Sequence, residues 1–199
     1  MTVREKIQSK NGYFSRHDAM DPSLKEKAQE LLYEYNNTRP SENEKRSNIL
    51  KELFGTCSPL TFVEPNFKCD YGFNIHTDGL VFINYNCVML DTSPIHIGKN
   101  TFIGPGTCLS CAGHAIHPLE RGQGIGTSKP ITIKEDVWIG ANSTICSGVT
   151  IGKGSIIGAG SVVTKDIPQG VIAVGNPCKV MRKITEEDKL NLKENFVLL

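Results

Sequence analysis

From Ile133 to Pro168 the chain repeats every six residues. Ile133, Ile139, Ile145, Ile151, Ile157 and Val163 are all β-branched and aliphatic, and glycine follows directly at 140, 152 and 158. An α-helix has a period of 3.6 and a half-buried strand a period of 2, so neither produces this spacing. A coil with flat sides of about six residues does. Each side points one aliphatic side chain inward, and glycines and other small residues turn the corners. Each side is then a short strand that pairs with the sides one coil above and below.

The same phase runs upstream through Ile97, Ile103 and Leu109. From Leu109 to Ile133 is a step of 24 residues, a multiple of six, but residues 111–130 break the pattern. They contain His114, His117, Pro118, Glu120, Arg121 and glycines 113, 122, 124 and 126, which reads as a loop thrown out of the coil. Ile75 and Val81 suggest the first coil in imperfect phase, with 56–74 irregular before it.

Residues 1–55 read as helical. Ser23-Leu-Lys-Glu26 and Ser41-Glu-Asn-Glu44 each spell a capping box ahead of an apolar helical pattern. Gly55 suits the end of the second helix. Two amphipathic helices need an apolar surface, and the open end of a coil offers one. After the repeats, Pro168, Gly170, Gly175 and Pro177 end the coil. Thr185-Glu-Glu-Asp188 then caps a short amphipathic helix carrying Leu190 and Leu192. The expected organisation is an N-terminal helical cap over 1–55, a β-helix over 56–177 with its loop at 111–130, and a tail with a helix over 178–199.

Charge is nearly balanced, with 22 basic and 21 acidic residues, which gives no reason to expect nucleic acid or an anionic membrane. No apolar run approaches the roughly 20 residues that span a bilayer, and no secretion signal is visible, so a cytoplasmic protein is expected. Seven cysteines are present, and Cys108 and Cys111 spell C-x-x-C without a second pair to complete a zinc site. Buried reduced thiols fit better, and no metal is expected. Asp70, Asn84, Asn86 and Asp91 are polar residues amid apolar coils. Asn86 and Asp91 read equally as corner residues bonding their own backbone or as functional groups.

Several of these stretches together resemble the maltose and galactoside O-acetyltransferases. They are the Ile-Gly hexapeptides, the Ser-Cys-Ala-Gly-His114 loop, Pro130-Ile-Thr-Ile with Val-Trp138-Ile-Gly, Gly-Ala-Gly-Ser-Val-Val-Thr-Lys165-Asp-Ile-Pro, and Gly-Asn-Pro-Cys-Lys179. Tyr-Glu-Tyr-Asn36 ahead of Arg-Pro-Ser-Glu extends the likeness into the N-terminal helices. The resemblance implies an all-β core folded as a left-handed parallel β-helix. It also implies a homotrimer with active sites between subunits, and acetyl transfer from acetyl-CoA to a sugar hydroxyl.

An alcohol attacks a thioester only as its proton is removed, and histidine is the usual base near neutral pH. Of five histidines, His114 stands at a coil exit beside a glycine-rich loop and matches the family's catalytic histidine. The resemblance places Asn84 with it, holding the sugar or the tetrahedral intermediate, and Asp18, Asp70 and Phe82 at the acceptor. Where the family carries a second acidic acceptor residue this chain has Thr92. For the coenzyme, Ala141, Ala159, Gly140 and Gly158 suit a narrow slot for the pantetheine arm. Ala141 offers an N–H to the oxyanion, Trp138 forms a wall, Thr164 and Lys165 match the adenine–ribose end, and Lys179 and Arg182 match the phosphates.

Three other readings fit the same coil. One is an acetyltransferase for another acceptor, such as an antibiotic, serine or a nucleotide-sugar amine. Another is a zinc hydratase built on three of the histidines. The last is a non-catalytic trimeric binding protein.

Overall fold

The computed structural model describes residues 2–190. Three parallel sheets form the faces of one solenoid, and the chain visits them in turn. The first face holds Thr61–Val63, Val81–Ile83, Thr101–Ile103, Trp138–Ile139, Ile156–Ile157 and Val171–Val174. The second holds Lys68–Cys69, Val88–Leu90, Cys108–Ser110, Thr144–Ile145 and Val162–Val163. The third holds Ile75–Thr77, Ile95–Ile97, Ile131–Ile133 and Thr150–Ile151.

The six-residue period is the inward row. Ile139, Ile145, Ile151, Ile157 and Val163 are completely buried, and Ile133 is 1% exposed. Ile133 pairs with Ile151, Ile139 with Ile157 and Ile145 with Val163, so the repeating aliphatics stack in columns eighteen residues apart. The earlier coils are longer. Ile75 pairs with Ile95 and Ile83 with Ile103, twenty residues on, which explains the imperfect phase there. Residues 56–74 are not irregular: Thr61–Val63 and Lys68–Cys69 form the first coil beneath the second. The first coil lacks the Ile-Gly spelling, since Glu64 follows Val63 where Gly140 follows Ile139 in the later coils. Asn66 and Asn86 both take left-handed backbone angles, which settles Asn86 as a corner residue.

The N-terminal segment opens with a short helix, α1 (Val3–Ile7), and a strand, Tyr13–Arg16, which a wholly helical reading of 1–55 did not include. The two longer helices are α2 (Pro22–Asn36) and α3 (Asn43–Leu53). Neither expected serine capping box forms. Asp21 caps α2, its carboxylate accepting the Ser23 N–H at 3.0 Å, because Pro22 favours the first helical position. Glu42 precedes α3 without a side-chain cap and instead accepts the Arg39 N–H.

Ala28, Leu32, Tyr35, Ile49, Leu50 and Leu53 bury against the first coil and continue the solenoid core. Asn36 closes the coil's open edge, donating to the Phe67 carbonyl and accepting the Phe67 N–H. Both groups would otherwise be buried unpaired.

The loop at 111–130 is ordered. Ala112–His114 and Ile125–Ser128 form an antiparallel pair joined through α4 (Pro118–Gly122), and Tyr13–Arg16 adds a third strand. The loop occupies the length that makes Ile97 pair with Ile133 across 36 residues, one eighteen-residue coil plus eighteen more. At the other end, Lys179–Lys183 folds back antiparallel on the first face. The Thr185 capping box forms, but around a single 3-10 turn, Glu186–Asp188, with Leu190 exposed. Leu192, the other apolar residue expected there, lies outside the described residues. Among the described residues no helix is long and apolar enough to cross a membrane.

Candidate active site

A cleft of about 480 Å³ opens where the second face turns into the third, between the loop and the start of α2. Coil stacking puts Asp70, Thr92 and the strand leading to His114 on successive coils at this corner, and all three residues line the cleft. The three-stranded sheet supplies the other wall. The rungs Tyr13–Ser128–Ala112 and Ser15–Gly126–His114 flank a middle rung, Phe14–Thr127–Gly113. His114 is exposed in the cleft. Immediately after it, Arg121 Nη1 donates to the Ala115 and Ile116 carbonyls at 3.1 and 2.9 Å, bracing the loop behind the imidazole. His117 begins α4 and does not line the cleft.

Asp70 is poised by two contacts. Its carboxylate meets Lys25 of α2 at 2.6 Å, and its backbone N–H is held by buried Asp91 at 2.9 Å. Asp91 is therefore not a corner residue bonding its own turn; it ties its coil to the preceding one. Thr92 forms a neutral part of the cleft wall. Its hydroxyl bonds Ser128 at 2.7 Å, and Ser128 donates to Ser93 at 2.8 Å. Burial pushes the Tyr13 phenol up to about 12, against hydrogen bonds with Ser128 and Thr92, so it stays a neutral partner.

Tyr13, Ser15, Asp21 and Lys25 are cleft residues that sequence reasoning missed. Residues 13–16, Tyr-Phe-Ser-Arg, show no alternation of apolar and polar side chains, and nothing local says which loop the strand joins. Asp18 is not brought to the cleft. It pairs with Arg16 at 2.9 Å and is largely exposed, and Asp21 stands at the cleft instead.

The remaining expected residues lie elsewhere on the chain. Phe82 and Trp138 belong to an outward aromatic row on the first face, in register with Phe62 and Phe102. Phe62, Phe102 and Trp138 are each about half exposed. Asn84 ends its strand at the next corner, where its side chain accepts the Tyr85 N–H at 2.8 Å. Ala141 and Ala159 stack at that same corner, and the Gly160 N–H donates to the Ala141 carbonyl at 2.8 Å.

At Gly140 and Gly158 the stacking of coils leaves no room for a side chain. A Cβ at Gly140 would stand 2.5 Å from the Ala159 nitrogen, and one at Gly158 would stand 2.6 Å from Val174. Lys179 and Arg182 are exposed on the return strand, with Arg182 held by Asp188 at 2.6 and 2.7 Å. Thr164 and Lys165 are exposed at the second-to-third corner, further along the cleft's own edge.

One chain thus carries two separated groups: Asp70 and His114 at one corner, and Phe82, Asn84, Trp138, Ala141 and Ala159 around another. The histidines do not converge either. His76 and His96 stack at 4.7 Å on the third face, and among the described residues no three His, Cys, Asp or Glu gather in a way that could hold a metal.

The bacterial transferase hexapeptide family (six repeats) matches residues 130–165, and the maltose acetyltransferase hexapeptide capping motif matches 17–58. The galactoside O-acetyltransferase of Escherichia coli (strain K12) is 45% identical over 168 residues, 84% of this chain and 83% of that protein. The chain belongs to the maltose/galactoside O-acetyltransferase family. Solved members of this acetyltransferase family share its whole architecture. A maltose O-acetyltransferase from Clostridium difficile 630 superposes with a TM-score of 0.86 at 44% identity, covering 94% of this chain and 99% of the other. A galactoside acetyltransferase in complex with coenzyme A gives 0.88 at 40% identity, with both chains fully covered. Family membership makes the chain an acyltransferase, and the helices over the first coil correspond to the family's capping motif.

Proposed function

We propose that the protein transfers the acetyl group of acetyl-CoA to a hydroxyl of a sugar, with His114 as general base. The observation that carries this reading is the position of His114. It is an exposed imidazole on a braced strand, facing a cleft whose walls combine tyrosine rings, hydroxyls and the Lys25–Asp70 pair. Such a mixture of aromatic and directional polar groups suits a polyhydroxylated ligand. The imidazole takes the hydroxyl proton as the oxygen attacks the thioester carbonyl. The C–S bond then breaks, and the protonated imidazole supplies the proton that leaves with coenzyme A. Asn84 and the Ala141 N–H stabilise the tetrahedral intermediate, and Asp70 holds the acceptor.

These groups act together when a second copy brings its first face against the cleft, and a homotrimer does this three times over. The half-exposed aromatic row, Phe62, Phe102 and Trp138, supports such packing, since a contiguous apolar row on a sheet face calls for a cover. In this assembly Trp138, Ala141 and Ala159 border the pantetheine arm, Thr164 and Lys165 meet the adenine–ribose end, and Lys179 and Arg182 meet the phosphates.

His114→Ala is expected to lower turnover by about 10²–10⁴-fold while coenzyme A still binds. His117→Ala, outside the cleft, should change it far less. His114→Ala with parent-like melting and more than about a tenth of parental turnover would remove the base assignment. The acceptor is tested by acetyl-CoA assays across sugars, aminoglycoside antibiotics and serine, and the trimer by light scattering at micromolar concentration.

A further inference from the structure

Gly126 stands on the rung between Ser15 and His114, paired with both. Paired residues on antiparallel strands send their side chains to the same face. Ser15 and His114 both line the cleft, so a side chain at 126 would enter it beside the imidazole. The backbone does not require glycine here. A Cβ would find only the Gly113 carbonyl at 3.7 Å and the Ser15 carbonyl at 3.8 Å, which are ordinary contacts.

Neighbouring glycines differ. Gly124 has φ +75°, and a Cβ at Gly113 would lie 2.7 Å from Thr127 Oγ1. Glycine in a strand interior costs backbone entropy and packs nothing, so its presence at 126 calls for a reason other than the fold.

We propose that Gly126 is the specificity-determining position of the acceptor cleft. Its missing side chain leaves room beside His114 for a second ring of the acceptor, so a disaccharide or a glycoside with a bulky aglycone is preferred over a free monosaccharide. The inference rests on the sugar-acceptor reading above. The cleft of about 480 Å³ falls within the roughly 300–1,000 Å³ of sites that enclose a ligand of this size. The second ring would lie along the bare rung, with Tyr13 two rungs away.

Gly126→Ala and Gly126→Leu, assayed with acetyl-CoA against glucose and maltose, test this. In the parent, kcat/KM is expected to favour maltose. Gly126→Leu should reduce the maltose-to-glucose ratio by roughly tenfold or more, with Gly126→Ala between, because filling a pocket by a few carbons discriminates on that scale. The KM for acetyl-CoA should stay within about twofold in both variants, and melting should not fall. An unchanged ratio in variants that melt like the parent overturns the specificity role alone. A parent that acetylates neither sugar overturns the sugar reading and this inference together.

Discussion

The fully buried carboxylate of Asp91 accepts the backbone N–H of Asp70 at 2.9 Å, and the same oxygen accepts the Tyr71 N–H at 2.8 Å. Two coils are thereby tied together at the point where Asp70 enters the cleft. Burial pushes the Asp91 carboxyl up to about 7, against the hydrogen bonds from the Tyr71, Asp70 and Asn74 N–H groups. Asp91→Asn keeps the shape but can turn an amide toward those donors, and an unsatisfied buried N–H costs about 1–3 kcal/mol. We expect a lower melting temperature and a raised acceptor KM, with the acetyl-CoA KM unmoved. Because the folded-state pKa is raised, this group's contribution to stability is full below its ordinary value of 3.8 and lost as pH rises through about 7. Asp91→Asn should abolish that part of the decline, and calorimetry from pH 5 to 8 reads it.

Ile151→Asp should prevent folding. Ile151 is fully buried, paired with Ile133 on one side and bridged to Ile167 on the other. Breaking that column with an unpaired carboxylate costs several kcal/mol, comparable to a domain's whole margin of about 5–15 kcal/mol. A soluble Ile151→Asp protein with a cooperative melt would contradict the inward column.

Lys179→Ala combined with Arg182→Ala should raise the KM for acetyl-CoA and leave the acceptor KM nearly alone, since contacts far from the reacting carbon give uniform binding. Asp188 already engages the Arg182 guanidinium with both oxygens. Asp188→Asn is therefore expected to move the coenzyme KM the other way. Steady-state kinetics with each substrate varied in turn separates these outcomes, and a shift confined to the acceptor KM would displace the phosphate assignment.

Acid should weaken the third face. His76 and His96 stack there, and burial holds both imidazoles below the usual histidine value, the neighbouring His96 adding to the effect on His76. A lowered histidine pKa favours the neutral ring in the folded state. That stability is present above about 6.5 and is lost as pH falls below it, where the unfolded chain takes up more protons. His96→Gln should flatten the fall in melting temperature between pH 7 and 5 relative to the parent, and an identical slope would refute the coupling.

Much of the solenoid was legible in one dimension because its contacts repeat at fixed intervals. A coil of eighteen residues places Ile133 over Ile151 wherever it occurs, so periodicity alone names the core. The signal failed in the first coils, where the coils are twenty residues long and Glu64 and Asn84 stand where later coils carry the glycine of Ile-Gly. It failed also at the helix starts, where Asp21 outcompetes Ser23 for the cap.

By itself the sequence determined the repeating core, the position of the loop and His114 as the residue most in need of a chemical reason. Tertiary structure decided which residues share the cleft with it. Tyr13 and Ser15 meet a loop strand more than a hundred residues later through backbone pairing that leaves no mark on side-chain pattern, and Lys25 reaches the cleft from α2 through its pair with Asp70. Asn84, which the resemblance sets with His114 at a site between subunits, and Trp138, which it sets at the coenzyme slot, lie on another edge of the same chain. A solenoid fixes each side chain to a face and corner by its position in the coil, so one copy cannot bring two corners together.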